Sequence, residues 1–569
     1  MAPLKWWQTA VFYQIYPRSF ADGNGDGIGD FKGIISKLDY LQRLGIDGIW
    51  LSPHFPSPQW DCGYDVADYT DVEPDYGTLD EFKVFLHEAH QRNIRVILDL
   101  VLNHTSDEHR WFKESRSSRD NPKRDWYIWR DPRPDGTPPN NWYSTFGGSA
   151  WEYDETTASY YYHFFFKQQP DLNWRNPEVK QAMFDAVRFW LDLGVDGFRL
   201  DAIGTIFEEE DLPDQTCEVT QDELMRMSHE AKTPEEFARL QTYWDKMYIY
   251  QHDLPGVHEL MRELRALLDT YEDRVLVGET DEIAFYGSGD DELHLIFNFP
   301  LMLAKRLSPE GVRENQKTRL SSLPSIAWPC NALGNHDSPR VYNRFGDGEH
   351  NDALARQNLL LLLTLKGTPF LYNGEEIGMR DYRLTDIAQV RDILGLWYYR
   401  LAKELGGVSD EEALDIALMN SRDRNRTPMQ WRNAPNGGFS PAGVSPWLPV
   451  NPNYAQGINV ADQEEENASL LNYYRQVLRL RRENPALAYG EYQSLEEDHP
   501  NVLAFVRTTS EQRLLMLFNM TAEPATVEMN LPVSRANWVF STHPHDETAV
   551  DLASLSLAPF ESAVIQVNE

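Results

Sequence analysis

A chain of 569 residues with 89 Asp and Glu against 53 Lys and Arg carries a formal charge of -36, a field that repels phosphate backbones and anionic lipid, so neither nucleic acid nor membrane is an expected partner. Its three cysteines, Cys62, Cys217 and Cys330, lie far apart without metal-ligand spacing, which argues against a disulfide framework and fits a reducing cytoplasm. The length predicts one large barrel-type domain with appended modules.

The N-terminus, "MAPLKWWQTAVFYQIYP", has no apolar leader or cleavage site, and its "VFYQIYP" reads as a first short strand. The next stretch, "SFADGNGDGIGDFKG" at 19–33, sets oxygen ligands at alternate positions: Asp22, Asn24, Asp26 and then Asp30. Counted from Asp22 it follows an EF-hand loop as far as Gly27, but the twelfth position is Gly33, where that motif needs a bidentate Glu. A calcium sensor is therefore excluded. A carboxylate-rich turn suited to a hard cation remains, beside the plainer reading of a polar glycine-rich loop.

After Asp30, the spacing of Ile34, Ile35, Leu38, Leu41 and Leu44 predicts a helix up to Gly45, followed by a strand from Ile46 to Leu51. In "GTLDEFKVFLHEAHQRNIRVILDLVLNH", Thr78 and Glu81 form a capping box before a helix and an apolar strand. Residues 104 to about 171 are rich in Pro, Gly and Trp and too long for an ordinary βα loop; they read as an inserted domain. The helix–strand unit returns in "NPEVKQAMFDAVRFWLDLGVDGFRLDAI", with Asn176 as cap, Pro177 in the first turn and Gly194 as terminator. Further strands are predicted in "DRVLVGET", "ELHLIFNF", "WPCNALGNHD" and "TPFLYNGEE". The run "NLLLLLTL" is too short to cross a bilayer. Eight strands alternating with helices predict a (β/α)₈ TIM barrel, α/β in class. From about residue 488, alternating segments such as "NVLAFVRTT", "RLLMLFNMT" and "SAVIQVNE" predict an all-β C-terminal module. The expected division is 1–103 and 172–487 for the barrel, 104–171 for the insert and 488–569 for a β-sandwich.

Barrel enzymes keep their active sites at the C-terminal ends of strands, and here those ends read "DLVLNH", "GFRLD", "VGET" and "GNHDSPR". Taken singly, an Asp at a strand end is more often a helix cap or an ion-pair partner than a catalyst. Several polar strand ends on one rim reverse those odds, and no Ser-His-Asp order, phosphate loop or His-rich metal spacing competes.

These strings resemble the four signature regions of the α-amylase superfamily of glycoside hydrolases, over essentially the whole chain. "QQPDLNW" at 168–174 and "SRDRNRTPMQW" at 421–431 are similar to hallmarks of its α-glucosidase and oligo-1,6-glucosidase branch. The resemblance implies domains A, B and C in the order just given. It implies Asp201 as nucleophile and Glu279 as general acid, roughly 5 to 5.5 Å apart in a retaining enzyme, with Asp337 as a third carboxylate gripping sugar hydroxyls. Arg199, two residues before Asp201 on one strand face, is expected to hold that carboxylate ionised. His104 and His336 match histidines that bond the same sugar. Asp61 and Tyr64 match residues that close its non-reducing end, Phe146 and Phe165 match aromatic walls, and Arg422 matches a contact to the terminal glucose. The acidic loop matches a structural calcium site, with Asp22, Asn24, Asp26, Asp30 and the Ile28 carbonyl as ligands for Ca²⁺, or Mg²⁺ in its place.

The position after the nucleophile tends, in that family, to be Val in enzymes that open α-1,6 bonds; here it is Ala202. The resemblance thus implies an exo-acting retaining α-glucosidase for short α-1,4-linked glucosides such as maltose, or sucrose, acting in the cytoplasm as monomer or homodimer on a small-molecule α-glucoside. Glucosyl transfer to sugar or alcohol acceptors, isomerisation and oligo-1,6-glucosidase activity are the alternatives within the enzymes. The "RLDRD" stretch of isomaltulose-forming relatives is absent. A transporter heavy chain of the same fold would need a membrane anchor and commonly lacks the carboxylates, and a non-catalytic carbohydrate-binding protein is disfavoured on the same carboxylates. The segment 207–255 is long for its place and is expected to shape the acceptor site.

Overall fold

The computed structural model describes residues 3–495, 499–529, 531, 535–546 and 548–568. Eight parallel strands build the central sheet: β1 (Phe12–Ile15), β2 (Gly48–Leu51), β3 (Arg95–Val101), β4 (Gly197–Asp201), β5 (Val275–Gly278), β6 (Leu295–Ile296), β7 (Cys330–Ala332) and β8 (Thr368–Tyr372). Their order is β7-β8-β1-β2-β3-β4-β5-β6, the succession of a barrel. It is nearly closed: among the described residues no ladder joins β6 to β7. Side chains stand at that seam instead, where the Asn298 amide donates to Asn331 Oδ1 at 3.1 Å and Arg319 donates to the carbonyls of Ile296 and Phe297 at 3.1 and 2.7 Å.

All eight predicted strands are present. The predicted helix after Asp30 is two, α1 (Phe31–Ser36) and α2 (Leu38–Leu44), parted at Lys37. The Ser36 hydroxyl donates to the Gly33 carbonyl at 2.7 Å, a local bond that competes with the helical ladder and bends the last turn. α3 (Leu79–Gln91) carries the Thr78–Glu81 capping box, and α4 (Pro177–Leu193) starts at the Asn176 cap. Gly45 and Gly194 end α2 and α4 with φ of 99° and 103°, a conformation that costs a residue with a Cβ.

Between β3 and β4 lies an antiparallel sheet of Trp129–Arg130, Ser159–Tyr162 and Trp151–Asp154, packed on a small core of its own that includes Trp142, Trp151 and Phe164. Between β4 and β5 the long segment folds into α5 (Gln221–Glu230) and α6 (Pro234–Tyr248). The C-terminal module is a five-stranded antiparallel sheet facing a two-stranded one, Ala525–Val527 with Leu555–Leu557, across a core of residues such as Leu515, Val527, Leu557 and Ile565. Among the described residues no helix is long and apolar enough to cross a membrane.

Candidate active site

Inward positions alternate along a barrel strand, and here their chemistry changes with height. Phe12, Trp50, Ile97, Val277 and Phe370 form an apolar floor. Two residues above Phe12 stands Gln14, above Ile97 stands Asp99, and on β4 the sequence Gly197, Arg199, Asp201 climbs the same face. Register sets Asp99 beside Arg199 and Arg199 beside Val277, so Glu279, two residues past Val277, reaches the level of Asp201.

The result is one guanidinium among three carboxylates. Arg199 Nη1 donates to Asp99 Oδ1 at 2.7 Å and to Asp201 Oδ1 at 2.6 Å, and Nη2 pairs with Glu279 Oε1 at 2.7 Å. Its flat face lies 5.0 Å from the centre of the Trp50 ring. Burial pushes Asp99 up to about 6 against the pull of Arg199. It pushes Asp201 well above the usual carboxylate range too, with Glu279 and Asp99 adding to burial and Arg199 opposing it. Arg199 thus acts in the expected direction, favouring the ionised form of Asp201, while burial and the two neighbouring carboxylates oppose it. One cation is divided among three acids, Asp99 and Asp201 buried and Glu279 half-buried, so each carboxylate receives only part of its stabilisation.

A second layer closes over the first. Gln14 Nε2 donates to His336 Nδ1 at 2.8 Å, which leaves the ring proton on Nε2, facing Tyr64 Oη at 2.6 Å and Asp337 Oδ2 at 3.1 Å. The Tyr64 hydroxyl donates to Asp99 at 3.1 Å, and its ring stacks on His336 at 5.5 Å. Burial holds His336 well below its usual range. Burial works the other way on Asp337, yet His336, Arg426 and Arg422 hold its carboxyl well below the usual value; Arg426 Nη2 lies 2.6 Å and Arg422 Nη1 3.4 Å from its Oδ1. Asp61 meets Arg422 at 2.8 Å and accepts from the Gln169 amide at 3.1 Å. That amide lies 3.0 Å from His104 Nε2, and burial lowers the His104 ring to about 3. Phe165 stands edge-on to His104 at 5.1 Å and 5.6 Å from Phe146, whose ring Arg422 faces at 6.0 Å.

The catalytic and sugar-binding candidates thus gather on one rim. Three further residues join them. Asp392 grips Arg422 through Nη2 at 2.8 Å, Nε at 3.0 Å and the backbone N–H at 2.7 Å; Gln169 and Arg426 complete the set. Gln169 and Arg426 sit inside the motifs "QQPDLNW" and "SRDRNRTPMQW", which could have pointed to them, whereas nothing around Asp392 marks it. Ala202 is left-handed, φ 42° and ψ 44°, and its N–H donates to Glu279 Oε2 at 2.9 Å. Beside it a cavity of about 740 Å³ opens between Glu279 and the 207–255 segment.

The acidic loop lies outside this constellation. Its donors are all oxygen, as a hard cation requires. Asp22 accepts from the Gly25 and Gly27 N–H groups at 2.5 and 2.9 Å, Asp26 from Ile28 at 2.8 Å, and Asp30 from Gly23, Asn24 and Gly33 at 3.0, 2.8 and 2.6 Å. Among the described residues no three His, Cys, Asp or Glu side chains converge into a metal-holding group, so a cation here would depend on the Asn24 amide and the Ile28 carbonyl as well.

Residues 14–490 match the family described as "Alpha amylase, catalytic domain", and 492–564 match "Maltogenic Amylase, C-terminal domain". The chain is 40% identical to an oligo-1,6-glucosidase of Parageobacillus thermoglucosidasius over 99% of both chains, and 42% identical to a probable α-glucosidase of Rhizobium meliloti over 93% of this chain and 92% of that one. The crystal structure of the trehalulose synthase MutB from Pseudomonas mesoacidophila MX-45 superposes with a TM-score of 0.88 at 37% identity, covering the whole of both chains.

Proposed function

This chain belongs to the α-amylase family of glycoside hydrolases, and within it we propose an exo-acting, retaining α-glucosidase that releases glucose from the non-reducing end of short α-glucosides. The observation that carries the reading is the placing of Asp201 and Glu279 on two nitrogens of the same guanidinium, with the Asp61–Arg422 pair beyond them.

In the proposed reaction the ionised Asp201 carboxylate attacks the anomeric carbon, and Glu279 gives its proton to the glycosidic oxygen as that bond breaks. Water then enters from the face the aglycone left, opposite Asp201, loses a proton to Glu279 and releases Asp201 from the ester. Asp337, ionised, and the neutral His104 and His336 bond the hydroxyls of the reacting sugar, where contacts that strengthen in the transition state have their value. Asp61 with Arg422 blocks the far end, so a chain can enter by only one sugar. Ala202, smaller than Val, leaves room for an α-1,4-linked aglycone such as that of maltose.

Transfer or isomerisation is the second reading, favoured by the cavity beside Glu279, which can hold an acceptor, and by the likeness to a trehalulose synthase. Product analysis on maltose, isomaltose, sucrose and trehalose, with and without glycerol, decides among them: glucose from maltose supports hydrolysis, glucosyl glycerol supports transfer, and an isomeric disaccharide from sucrose supports isomerisation.

We also propose that the 22–30 loop binds Ca²⁺, or Mg²⁺, as a structural ion. The ion would brace the first βα loop and take no part in the bond cleavage.

A further inference from the structure

The segment between β4 and β5 is a preformed unit rather than a loose loop. α5 and α6 each start from a capping box, Thr220 with Glu223 and Thr233 with Glu236, and they share a core of Leu224, Leu240 and Met247. Tyr248, at the end of α6, ties the pair to the inserted domain: its hydroxyl accepts from Gln221 at 2.9 Å and donates to the Ser144 carbonyl at 3.3 Å, and its ring meets Phe164 edge-on at 5.6 Å. The chain returns to the barrel at Gly204, whose carbonyl accepts from the Asp253 N–H at 2.7 Å. A Cβ on Gly204 would stand 2.5 Å from Asp253 Oδ1, so a larger residue there would turn the Asp253 side chain aside.

Held in this way, the segment faces Ala202 and Glu279 across the cavity of about 740 Å³. Trp244 lies parallel to Tyr248, 5.9 Å between ring centres and 4° between planes, and gives the cavity a flat, half-buried indole wall. The charged groups of the lining are mostly acidic: Asp245 and Asp253 come from the segment, Glu279, Asp281 and Glu282 from the end of β5 and the loop after it, and no Lys or Arg stands among the described lining residues. His252, the one basic side chain there, is paired with Asp253 at 2.5 Å. Lys246, next in sequence to Asp245, is drawn away to Glu218 at 2.8 Å. A cleft with carboxylates on its rim and a net charge of -36 behind it concentrates cations and repels anions.

We propose that this cavity selects the aglycone by charge and by stacking. Neutral or cationic ring-bearing aglycones and acceptors are admitted against Trp244, and anionic ones, carboxylated or phosphorylated, are turned away by Asp245, Asp253 and Glu282. The proposal rests on the α-glucosidase reading above, because it takes the cavity for the aglycone side.

The test uses three α-glucosides whose phenyl aglycones carry a para nitro, carboxylate or trimethylammonium group, with kcat/KM measured at low and high salt on the wild type and on Asp245→Asn combined with Glu282→Gln. Both residues are exposed and outside the proposed catalytic set. In the double variant the carboxylated substrate should gain about tenfold relative to the nitrophenyl one, an order-of-magnitude figure for two screened charges within several ångströms, and the cationic substrate should lose. Salt should narrow the same gap in the wild type, and Trp244→Ala should raise KM for all three with less change in kcat. Equal changes for the three substrates in the double variant, or wild-type ratios indifferent to salt, overturn the charge selection while leaving the α-glucosidase reading intact. Absence of turnover of the neutral glucoside by the wild type overturns both.

Discussion

Arg199 bonds Asp201 at 2.6 Å from two positions earlier on the same strand, and the same guanidinium also reaches Asp99 and Glu279. A lysine keeps the charge but offers a single point where the guanidinium offers two. Arg199→Lys should therefore fold, with a lowered Tm, and lose about 10² to 10³ in kcat/KM, the scale of removing a preorganised electrostatic partner. A variant retaining a tenth or more of wild-type activity would show that the shared guanidinium is not what sets the pair.

If Asp201 is the nucleophile, Asp201→Asn should abolish turnover with the fold intact by circular dichroism, and the first sugar released by wild type should be the α-anomer. Proton NMR within the first minutes of reaction reads this directly; the β-anomer appearing first contradicts a retaining mechanism.

Asp99 gives a pH dependence with a definite sign. Its folded value, about 6, lies above the unfolded value of about 3.9. The native state thus keeps a proton that the unfolded chain has lost, and the associated stability is fully present below about pH 4 and gone once the pH passes 6. Two units correspond to about 3 kcal/mol at most. Asp99→Asn, which cannot titrate, should gain stability relative to wild type between pH 4 and 7. Parallel melting curves for the two proteins across that range would contradict the assignment.

For the acidic loop, chelation should lower Tm more than it lowers activity assayed at once in the cold, since a ligand that binds only the folded state stabilises by mass action. Asp22→Asn should reproduce the shift and remove the response to chelator. A wild type that holds no metal by elemental analysis and melts unchanged in chelator would mean that the loop is held by its own backbone hydrogen bonds.

Ala202 takes positive φ, where a β-branched residue is strained by roughly 1 to 2 kcal/mol. Ala202→Val should lower Tm accordingly and reduce the maltose to isomaltose ratio of kcat/KM by about tenfold or less, as a methylene or two in a pocket permits. A fall in Tm with no change in the ratio would separate the backbone effect from any role in linkage preference.

Much of this architecture could be read beforehand because its causes are local. Thr78 with Glu81, Asn176 with Pro177, and Gly194 mark helix ends through bonds within a few residues, and apolar runs ending in Asp201 or Glu279 mark barrel strands. The break at Lys37 escaped because a hydroxyl bond to a nearby carbonyl leaves the apolar spacing unchanged. α5 and α6 were just as legible, since "TQDE" and "TPEE" are capping boxes and Leu240, Trp244 and Met247 keep helical spacing. What no local pattern carries is sharing. That Arg199 serves three acids follows from the register of three strands, and Asp392 reaches Arg422 from 30 residues away with no motif around it.

The seam between β6 and β7 bears on how the molecule breathes. Seven junctions of the ring are fastened by backbone ladders, and the eighth by an asparagine pair and an arginine that caps two carbonyls. Side-chain clasps let go one at a time, whereas a ladder yields as a unit, so the ring has a built-in place to open without unfolding. Amide exchange should register this as low protection at Leu295 and Ile296 against strong protection along β3 and β4. Among the described residues the strand leading to His336 and Asp337 is laddered on one side only, so those two residues owe their place on the rim to side-chain bonds from Gln14, Tyr64 and Arg426 rather than to a sheet on both flanks.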